Sequence, residues 1–121
     1  MTSLQDARRM ALALPEAVEA PHHEMSSFRV RGKIFATVPA DGRHLHVFVD
    51  ESVREPLVAA LPETYEDLRW GARVVGVRVV LGRAHAGSVA DLLRSAWWRK
   101  APQSLRHRYA APIGRPSPSP S

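Results

Sequence analysis

The stretch from Ser26 to Val38 constrains the fold most, because it predicts two short strands folded back on each other at Arg31-Gly32. Before the turn, Phe28 and Val30 alternate with polar residues and fall on one side of the first strand. After the turn, alternation assigns the residues of the second strand to two faces: Ile34, Ala36 and Val38 to one, and Lys33, Phe35 and Thr37 to the other. Period-2 patterning around a glycine is typical of a β-hairpin. The sequence therefore predicts a half-buried antiparallel sheet with a basic outer face formed by Arg29, Arg31 and Lys33.

Periodicity over the rest of the chain predicts three helices and further strands. Each helix begins at a residue suited to N-capping, namely Ser3, Asp50 and Ser88. The helices are expected to end at Pro15, near Ala60 and at Pro102. Extended segments are expected over residues 17–20, 44–49, 65–70 and 74–81, the last of them a run of β-branched residues. On the third helix the apolar stripe predicts a buried Trp97 and a half-exposed Trp98.

The order of these elements predicts an α+β fold. Strands that follow one another along the chain pair as an antiparallel sheet, here of about five to six strands. The helices are expected to pack on one face of that sheet, which gives a two-layer sandwich with one open face. A length of 121 residues fits a single domain, assigned to residues 1–110. Residues 111–121 form a Pro/Ser-rich tail with nothing to bury, and we expect this tail to be disordered.

Composition excludes several classes of protein. The chain has no cysteine, which rules out disulfides, thiolate metal sites and a cysteine nucleophile. It contains no apolar run of the ~20 residues that a membrane-spanning helix needs. The first residues lack the basic start and apolar core of a signal peptide. We therefore expect a cytoplasmic protein that does not interact with a membrane.

Charge is distributed unevenly along the chain. The net charge is +5, but residues 1–67 hold 7 basic and 11 acidic residues, whereas residues 68–121 hold 10 basic residues and 1 acidic residue. A basic surface that faces a polyanion, most often nucleic acid, is one consequence of such an asymmetry. The alternative is a solvated basic surface without a partner, because residues of one half of a chain need not be neighbours in space.

Several short segments stand out by their residue order rather than by periodicity. They are Leu14-Pro15-Glu16, Pro21-His22-His23, the run from Ser27 to Thr37, Trp70-Gly71, and Ala96-Trp97-Trp98 followed by Ala101-Pro102-Gln103-Ser104-Leu105. In these segments the chain resembles the MmcQ/YjbR family from about Asp6 to Leu105. The resemblance implies a CyaY-like (frataxin-like) arrangement of helices against an antiparallel sheet, and a DNA-binding role.

Candidate DNA-binding residues are the basic side chains predicted to lie on the open sheet face, with three residues at the end of the last helix. They are Arg29, Arg31, Lys33, Arg69, Arg73, Arg78, Trp98, Arg99 and Lys100. Basic side chains of this kind bind phosphates and position a protein without reading the base sequence. The alternative is a set of surface ion pairs with Glu19, Glu24 or Glu66, each of which contributes little to stability.

Catalytic and metal sites find little support in the sequence. His22, His23, His44 and His46 lie near the hairpin, but no further ligands at a suitable spacing complete a zinc site, so no metal or other cofactor is expected. Nucleophile elbows, phosphate-binding glycine loops and helical zinc motifs are missing from the sequence. Ser26 or Ser27 near His22 is the one conceivable nucleophile–base pair. We therefore expect a protein that is not an enzyme and has no catalytic residues.

A second hypothesis is a protein-interaction module. In that case the exposed sheet face, with Phe35, Phe48 and Trp70, would contact a partner protein or a second copy of the chain. The two hypotheses differ in the surface they require, because DNA needs a cationic groove and a protein partner needs an apolar patch of several hundred Å².

Overall fold

The computed structural model describes residues 1–110, and for residues 108–110 only the backbone. The helices are α1 (Leu4–Leu12), α2 (Glu51–Ala60), α3 (Ala86–Lys100) and α4 (Gln103–Ala110), and a short 3-10 turn spans Leu81–Arg83. The strands are β1 (Ala17–His22), β2 (Met25–Val30), β3 (Lys33–Val38), β4 (His44–Val47), β5 (Tyr65–Trp70) and β6 (Arg73–Val80). None of the helices in this part of the chain is long and apolar enough to cross a bilayer. The tail predicted over 111–121 lies outside the described residues.

All six strands form one antiparallel sheet in the order β1-β2-β3-β4-β6-β5. Cross-strand partners share a face, and one row of them runs through Phe28, Ala36, Val47 and Val77, all without solvent exposure. α1 and α3 pack against each other, and α3 also packs on β3 and β4. The predicted α+β fold with a helix-covered sheet is thereby confirmed.

The last long helix supplies the largest buried side chain. Trp97 has no exposed surface, and its indole Nε1 donates a hydrogen bond to the Pro15 carbonyl oxygen at 2.9 Å. Trp98, one position further on, is 38% exposed. Both positions agree with the predicted phase of the helix. α2 lies over the other end of the sheet, where Arg54 Nε is 3.1 Å from an oxygen of Asp67 on β5.

The helix ends agree only in part with the predictions. The predicted N-cap Ser3 is confirmed, and it forms a capping box with Asp6: the Asp6 amide donates to Ser3 Oγ at 3.0 Å and the Ser3 amide donates back to the Asp6 carboxylate. Ser88 does not begin α3: the N-cap is His85, whose Nδ1 accepts from the Gly87 amide at 3.2 Å. The imidazole acceptor allows the helix to begin three residues earlier. The sequence analysis also missed α4, because Pro102 ends α3 and accepts the first backbone hydrogen bonds of a new helix.

Candidate nucleic-acid interface

The central strand β4 is short, and its end creates a cleft. The last pairs of β4 are Ala36↔Val47 with β3 and Val47↔Val77 with β6. β3 and β6 both extend past this point toward their turns, while the chain after Val47 leaves for α2. The β2–β3 hairpin (the first hairpin) and the β5–β6 hairpin (the second hairpin) therefore project on either side of the end of β4. Between them lies a cleft of about 710 Å³.

The two hairpins share one backbone plan. Both turns have two residues, Arg31-Gly32 with φ of 50° and 81°, and Gly71-Ala72 with a positive φ of 62° at Gly71 alone. These are the signs of φ that type I′ and type II′ hairpin turns require. In each hairpin the register then shifts at the same distance from the turn, so that Phe35 in β3 and Val75 in β6 have no cross-strand partner. Such bulges bend and twist a strand, and they are common beside functional sites.

The bulge in the first hairpin corrects one prediction. Strict alternation assigns Phe35 to the outer face with Lys33 and Thr37, but Phe35 is fully buried, with its ring 6.5 Å from that of Phe28. One extra residue in β3 breaks the period of two, so Phe35 and its neighbour Ala36 both join the core. Thr37 is also buried, at 3% exposure. Lys33 is exposed, but its cross-strand partner is the buried Val30, whereas Ile34 is the partner of Arg29, so Lys33 and Ile34 lie on the faces opposite to those predicted.

Gly76 on β6 allows the backbone at the end of β4 to pass very close to β6. A Cβ atom at this position would lie 2.1 Å from the Val47 carbonyl oxygen and 2.9 Å from Phe48 Cα. Both of those atoms are backbone, so they could not move aside without distorting β4. The absence of a side chain at Gly76 therefore fixes where β4 leaves the sheet, and with it the position of the cleft.

Basic side chains from four separate elements line the cleft, among them Arg54 of α2, which is paired with Asp67. Lys33 and Arg73 are the first residues of β3 and β6, and Arg99 and Lys100 are the last residues of α3. In the part of the chain that the structure describes, no carboxylate oxygen lies within 4.0 Å of a side-chain nitrogen of Lys33, Arg73 or Lys100. Arg99 donates from Nη1 to the Phe48 carbonyl oxygen at 3.2 Å.

The electrostatics of the cleft are those of crowded cations. Burial is the main cause that lowers the pKa of the Lys100 ammonium group, and the positive charges of Arg99 and Lys33 lower it further. Two acidic residues, Asp50 and Glu51, also line the cleft. The pKa of Asp50 is lowered chiefly by a hydrogen bond from the Ser52 hydroxyl, and Arg99 contributes to this shift. The basic residues nevertheless outnumber the acidic ones in the described lining.

Two aromatic residues stand at the wall of the second hairpin. Trp70, the last residue of β5, is 61% exposed, and its ring meets that of Phe48 edge to face, with centroids 5.4 Å apart. Phe48 is only 7% exposed. Trp70 is the cross-strand partner of Arg73, so an exposed indole and a guanidinium lie side by side at the cleft.

The other predicted DNA-binding residues lie outside the cleft and have partners within the fold. Arg29 donates to Ser27 Oγ at 2.9 Å and to the Pro21 carbonyl oxygen at 3.2 Å. Arg31 forms a two-point ion pair with Glu16, which raises the pKa of the Arg31 guanidinium. The structure thus brings together four of the nine predicted residues, namely Lys33, Arg73, Arg99 and Lys100.

The remaining three predicted residues also have neighbours of their own. Arg69 lies 3.6 Å from an Asp67 carboxylate oxygen. Arg78 Nη2 lies 3.3 Å from His44 Nδ1 and 3.7 Å from an Asp41 carboxylate oxygen. Trp98 has the Arg106 guanidinium over its ring, at 5.7 Å from the centroid.

A histidine-rich cluster adjoins the cleft on β4. His46 lines the cleft, and its Nε2 is buried without a hydrogen-bond partner in the described structure. Burial, followed by the positive charge of Arg78 and by His44, lowers the pKa of His46. The pKa of Asp41 falls to about 2, chiefly because its carboxylate accepts the Arg43 amide, with a further contribution from His44. Within residues 1–110 no group of three or more potential ligands is arranged to hold a metal ion.

Sequence reasoning missed the cleft and the similarity of the two hairpins. Once the registers are known, Arg29 corresponds to Arg69, and Lys33 corresponds to Arg73. The available signal was the repeated order of basic, turn and basic residues in 29–33 and 69–73, which is too short to stand out as a repeat. Arg54 and His46 were not identified as lining residues either.

Comparison with known proteins supports the fold and places the chain in a family. The crystal structure of Deinococcus radiodurans protein DR2400, which has a DUF419 domain, is similar with a TM-score of 0.72 and 23% sequence identity. The similarity covers 100% of this chain and 97% of that one, and it concerns the fold alone. No curated protein is significantly similar in sequence. The model of the YjbR family matches residues 12–99, which is most of the chain, and the protein therefore belongs to the YjbR family.

Proposed function

We propose that this protein is a cytoplasmic, non-catalytic DNA-binding protein, and that it holds the phosphate backbone in the cleft between the two hairpins. The observation that carries the proposal is the convergence of Lys33, Arg73, Arg99 and Lys100 on one concave surface. Three of these four have no acidic partner in the described structure, whereas Arg31, Arg69 and Arg78 do. Although Asp50 and Glu51 also line the cleft, the basic residues are in excess, and an excess of cations at one surface favours a polyanion.

Cation crowding in the cleft favours an anionic ligand. Burial chiefly, and then Arg99 and Lys33, lower the pKa of Lys100, and a phosphate placed among these cations offsets their mutual repulsion. Cations near a helix C-terminus also stabilise that helix, which accounts for Arg99 and Lys100 on structural grounds alone. Lys33 and Arg73 come from hairpins, however, and helix stability does not require them at the same cleft.

The arrangement favours binding that does not depend on base sequence. The four cations line the concave surface between the two hairpins, which suits contacts with phosphates. Phosphate contacts fix position without carrying sequence information. We therefore propose that the protein recognises DNA by backbone charge, with dissociation constants in the range of about 10⁻⁴ to 10⁻⁶ M that is typical of non-specific complexes.

The competing interpretations lose most of the residues on which they depended. Of the three aromatic side chains of the interaction-module hypothesis, Phe35 and Phe48 are buried, and only Trp70 is exposed. The serines of the conceivable catalytic pair have partners within the sheet, because Ser26 donates its hydroxyl to Glu19 and Ser27 donates to the Ala20 carbonyl oxygen at 2.8 Å. These hydrogen bonds support the β1–β2 pairing.

A salt series of duplex binding tests the proposed function. Fluorescence anisotropy with a labelled random-sequence duplex should show affinity falling with salt, with a slope of about −0.9 per phosphate neutralised. Lys33→Ala and Arg73→Ala should each weaken binding and flatten the slope by ~1. Arg83→Ala is the matched control, because Arg83 is exposed and lies outside the cleft, near Glu63.

Two outcomes would overturn the proposal. Equal losses in Arg83→Ala and in the cleft variants would show that the cleft has no special role. No binding at ~50 mM salt with micromolar protein would exclude even non-specific association. Losses confined to Arg29→Ala and Arg78→Ala would instead move the binding surface to the open sheet face.

A further inference from the structure

We propose that the cleft takes a single strand of DNA, with an unpaired base stacked on Trp70 and the adjoining phosphates bound by Arg73 and Lys33. This inference rests on the proposed function and specifies its ligand. The inference is based on one observation: the exposed indole of Trp70 lines the same cleft as cations that have no acidic partner in the described structure. Proteins that hold single strands without sequence preference combine these two features, a cationic groove and aromatic side chains on which bases stack.

Trp70 is held in place although most of its surface is free. Its ring meets the buried Phe48 edge to face at 5.4 Å, with an interplanar angle of 63°. The contact supports one edge of the indole and leaves the ring 61% exposed. A ring supported in this way offers a base a face on which to stack.

The other exposed apolar side chains lack this combination. Trp98 is less exposed, at 38%, and the Arg106 guanidinium already lies over its ring. Leu12, Val18 and Leu61 are exposed, but none of them lines the cleft and none offers a π-face. Trp70 has the further distinction of being the cross-strand partner of Arg73. A base on the indole therefore places its own phosphates beside a guanidinium.

The shape of the site favours a single strand over a duplex. A volume of about 710 Å³ lies in the range of ligand sites, roughly 300–1,000 Å³, and suits individual nucleotides. Because the surface is recessed between two hairpins, an unpaired strand can present both its phosphates and the faces of its bases to it. In a duplex the faces of the bases are already stacked, and exposing one costs a few kcal/mol. Trp70 can therefore contribute to single-strand binding but not to duplex binding.

The test compares three labelled probes of equal length with the full chain: a dT12 oligomer, a 12-base-pair duplex and an abasic dodecamer. We expect dT12 to bind more tightly than either of the others. Trp70→Ala should weaken dT12 binding about 5- to 100-fold, the effect of losing one stacked base. The same variant should leave binding to the duplex and to the abasic strand within about twofold of the parent.

Two further variants separate stacking from folding. Trp98→Ala is the matched control and should leave all three affinities unchanged, because Trp98 lies outside the cleft lining. Trp70→Phe keeps an aromatic face and should recover most of the dT12 affinity. Thermal unfolding of each variant, followed by circular dichroism, establishes that the comparison is made on folded protein.

The outcomes distinguish failure of the inference from failure of the proposed function. If the duplex binds through Lys33 and Arg73 but Trp70→Ala changes no affinity, the single-strand assignment is wrong and the proposed function stands. Equal losses on all probes in Trp70→Ala would also refute stacking. An rU12 oligomer that binds more tightly than dT12 would overturn the choice of DNA. If no probe binds, both proposals fail.

Discussion

The first and second hairpins have nearly the same backbone and very different surroundings. Each consists of a two-residue turn and a bulge three positions beyond it. In the first hairpin the bulge residue Phe35 packs on Phe28 beneath the helices, and the turn residue Arg31 is tied to Glu16. In the second hairpin the bulge residue Val75 is only partly buried, and Trp70 next to the turn is mostly exposed.

The difference shows that packing, rather than local geometry, decides what a hairpin does. α3 packs against β3 close to the first hairpin, and α2 packs against β5 and β6 in the second. At the turn of the second hairpin, the exposed Trp70 contacts Phe48 edge to face. A segment held by the core on several sides contributes to stability. A segment with the same backbone and few contacts keeps its side chains available to a ligand. The two hairpins should therefore respond in opposite ways to equivalent substitutions.

The largest difference is expected at the two bulges. Phe35→Ala removes a fully buried ring and should destabilise the protein by ~3–5 kcal/mol, because the cavity cannot collapse. Val75→Ala removes two methyl groups from a partly exposed site and should cost about 1 kcal/mol. Urea unfolding of both variants gives the two values. Similar losses would mean that the second hairpin is held as firmly as the first.

The residues that directly follow the two bulges are Ala36 and Gly76, and we expect opposite substitutions at them to destabilise the protein. Gly76→Ala places a Cβ against the Val47 carbonyl oxygen and should destabilise by ~3 kcal/mol, because a backbone atom must move. The reverse change in the first hairpin, Ala36→Gly, loses a buried methyl group and adds backbone freedom, for about 1–2 kcal/mol. A Gly76→Ala variant as stable as the parent would contradict the close approach that shapes the cleft.

A smaller effect separates Arg31, in the turn of the first hairpin, from Arg73, which follows the turn of the second. Arg31→Ala removes an exposed ion pair with Glu16, so a slight loss of stability is expected that disappears in high salt. Arg73→Ala removes no ion pair in the described structure and should leave the unfolding midpoint unchanged. Midpoints of chemical unfolding at low and high salt measure both. Salt-sensitive destabilisation by Arg73→Ala would reveal a structural role and weaken its assignment to a ligand.

The smallest effect concerns His46 on β4. Its cross-strand partners are Thr37 on β3 of the first hairpin and Arg78 on β6 of the second. Its pKa in the folded protein lies below the ordinary value of 6.5, so the unfolded chain binds a proton first as pH falls. Stability from this group is present above pH 6.5 and is lost as pH falls from there toward the folded pKa.

The corresponding measurement is urea unfolding between pH 7.5 and 5.5. His46→Gln should show a shallower loss of stability than the parent, and His107→Gln, an exposed control, should behave as the parent does. Asp41 does not interfere, because its contribution is lost only as pH falls from 3.8 toward about 2. An unchanged pH profile in His46→Gln would show that the buried Nε2 carries no such cost.

The sequence predicts most of the fold, and the failures have identifiable causes. Alternation and capping locate the strands and two of the three predicted helix starts, because these signals are local. The predicted face of Phe35 is wrong because a bulge interrupts the period of two, and no residue type identifies the bulge in the sequence. Helix α4 is not predicted because Pro102 serves both as the end of one helix and as the start of the next.

The candidate site could be predicted only in its parts. Each of Lys33, Arg73, Arg99 and Lys100 stands out as basic, but so do Arg31 and Arg78. Which of these basic residues line the cleft and which lie outside it depends on strand order and on the early end of β4. Both are properties of the whole sheet. Which arginines have acidic neighbours is likewise decided by register, since Glu16 is 15 residues from Arg31.

The sheet order has a consequence for how the protein behaves when it is concentrated. Its outer strands are β1 and β5, and an unpaired strand edge is a template for aggregation. β1 contains Pro21, which has no amide hydrogen to offer to an incoming strand, and β5 carries Glu66, Asp67 and Arg69 among its six residues. Both edges therefore carry residues that disfavour pairing with another strand, which works against growth into a continuous intermolecular sheet.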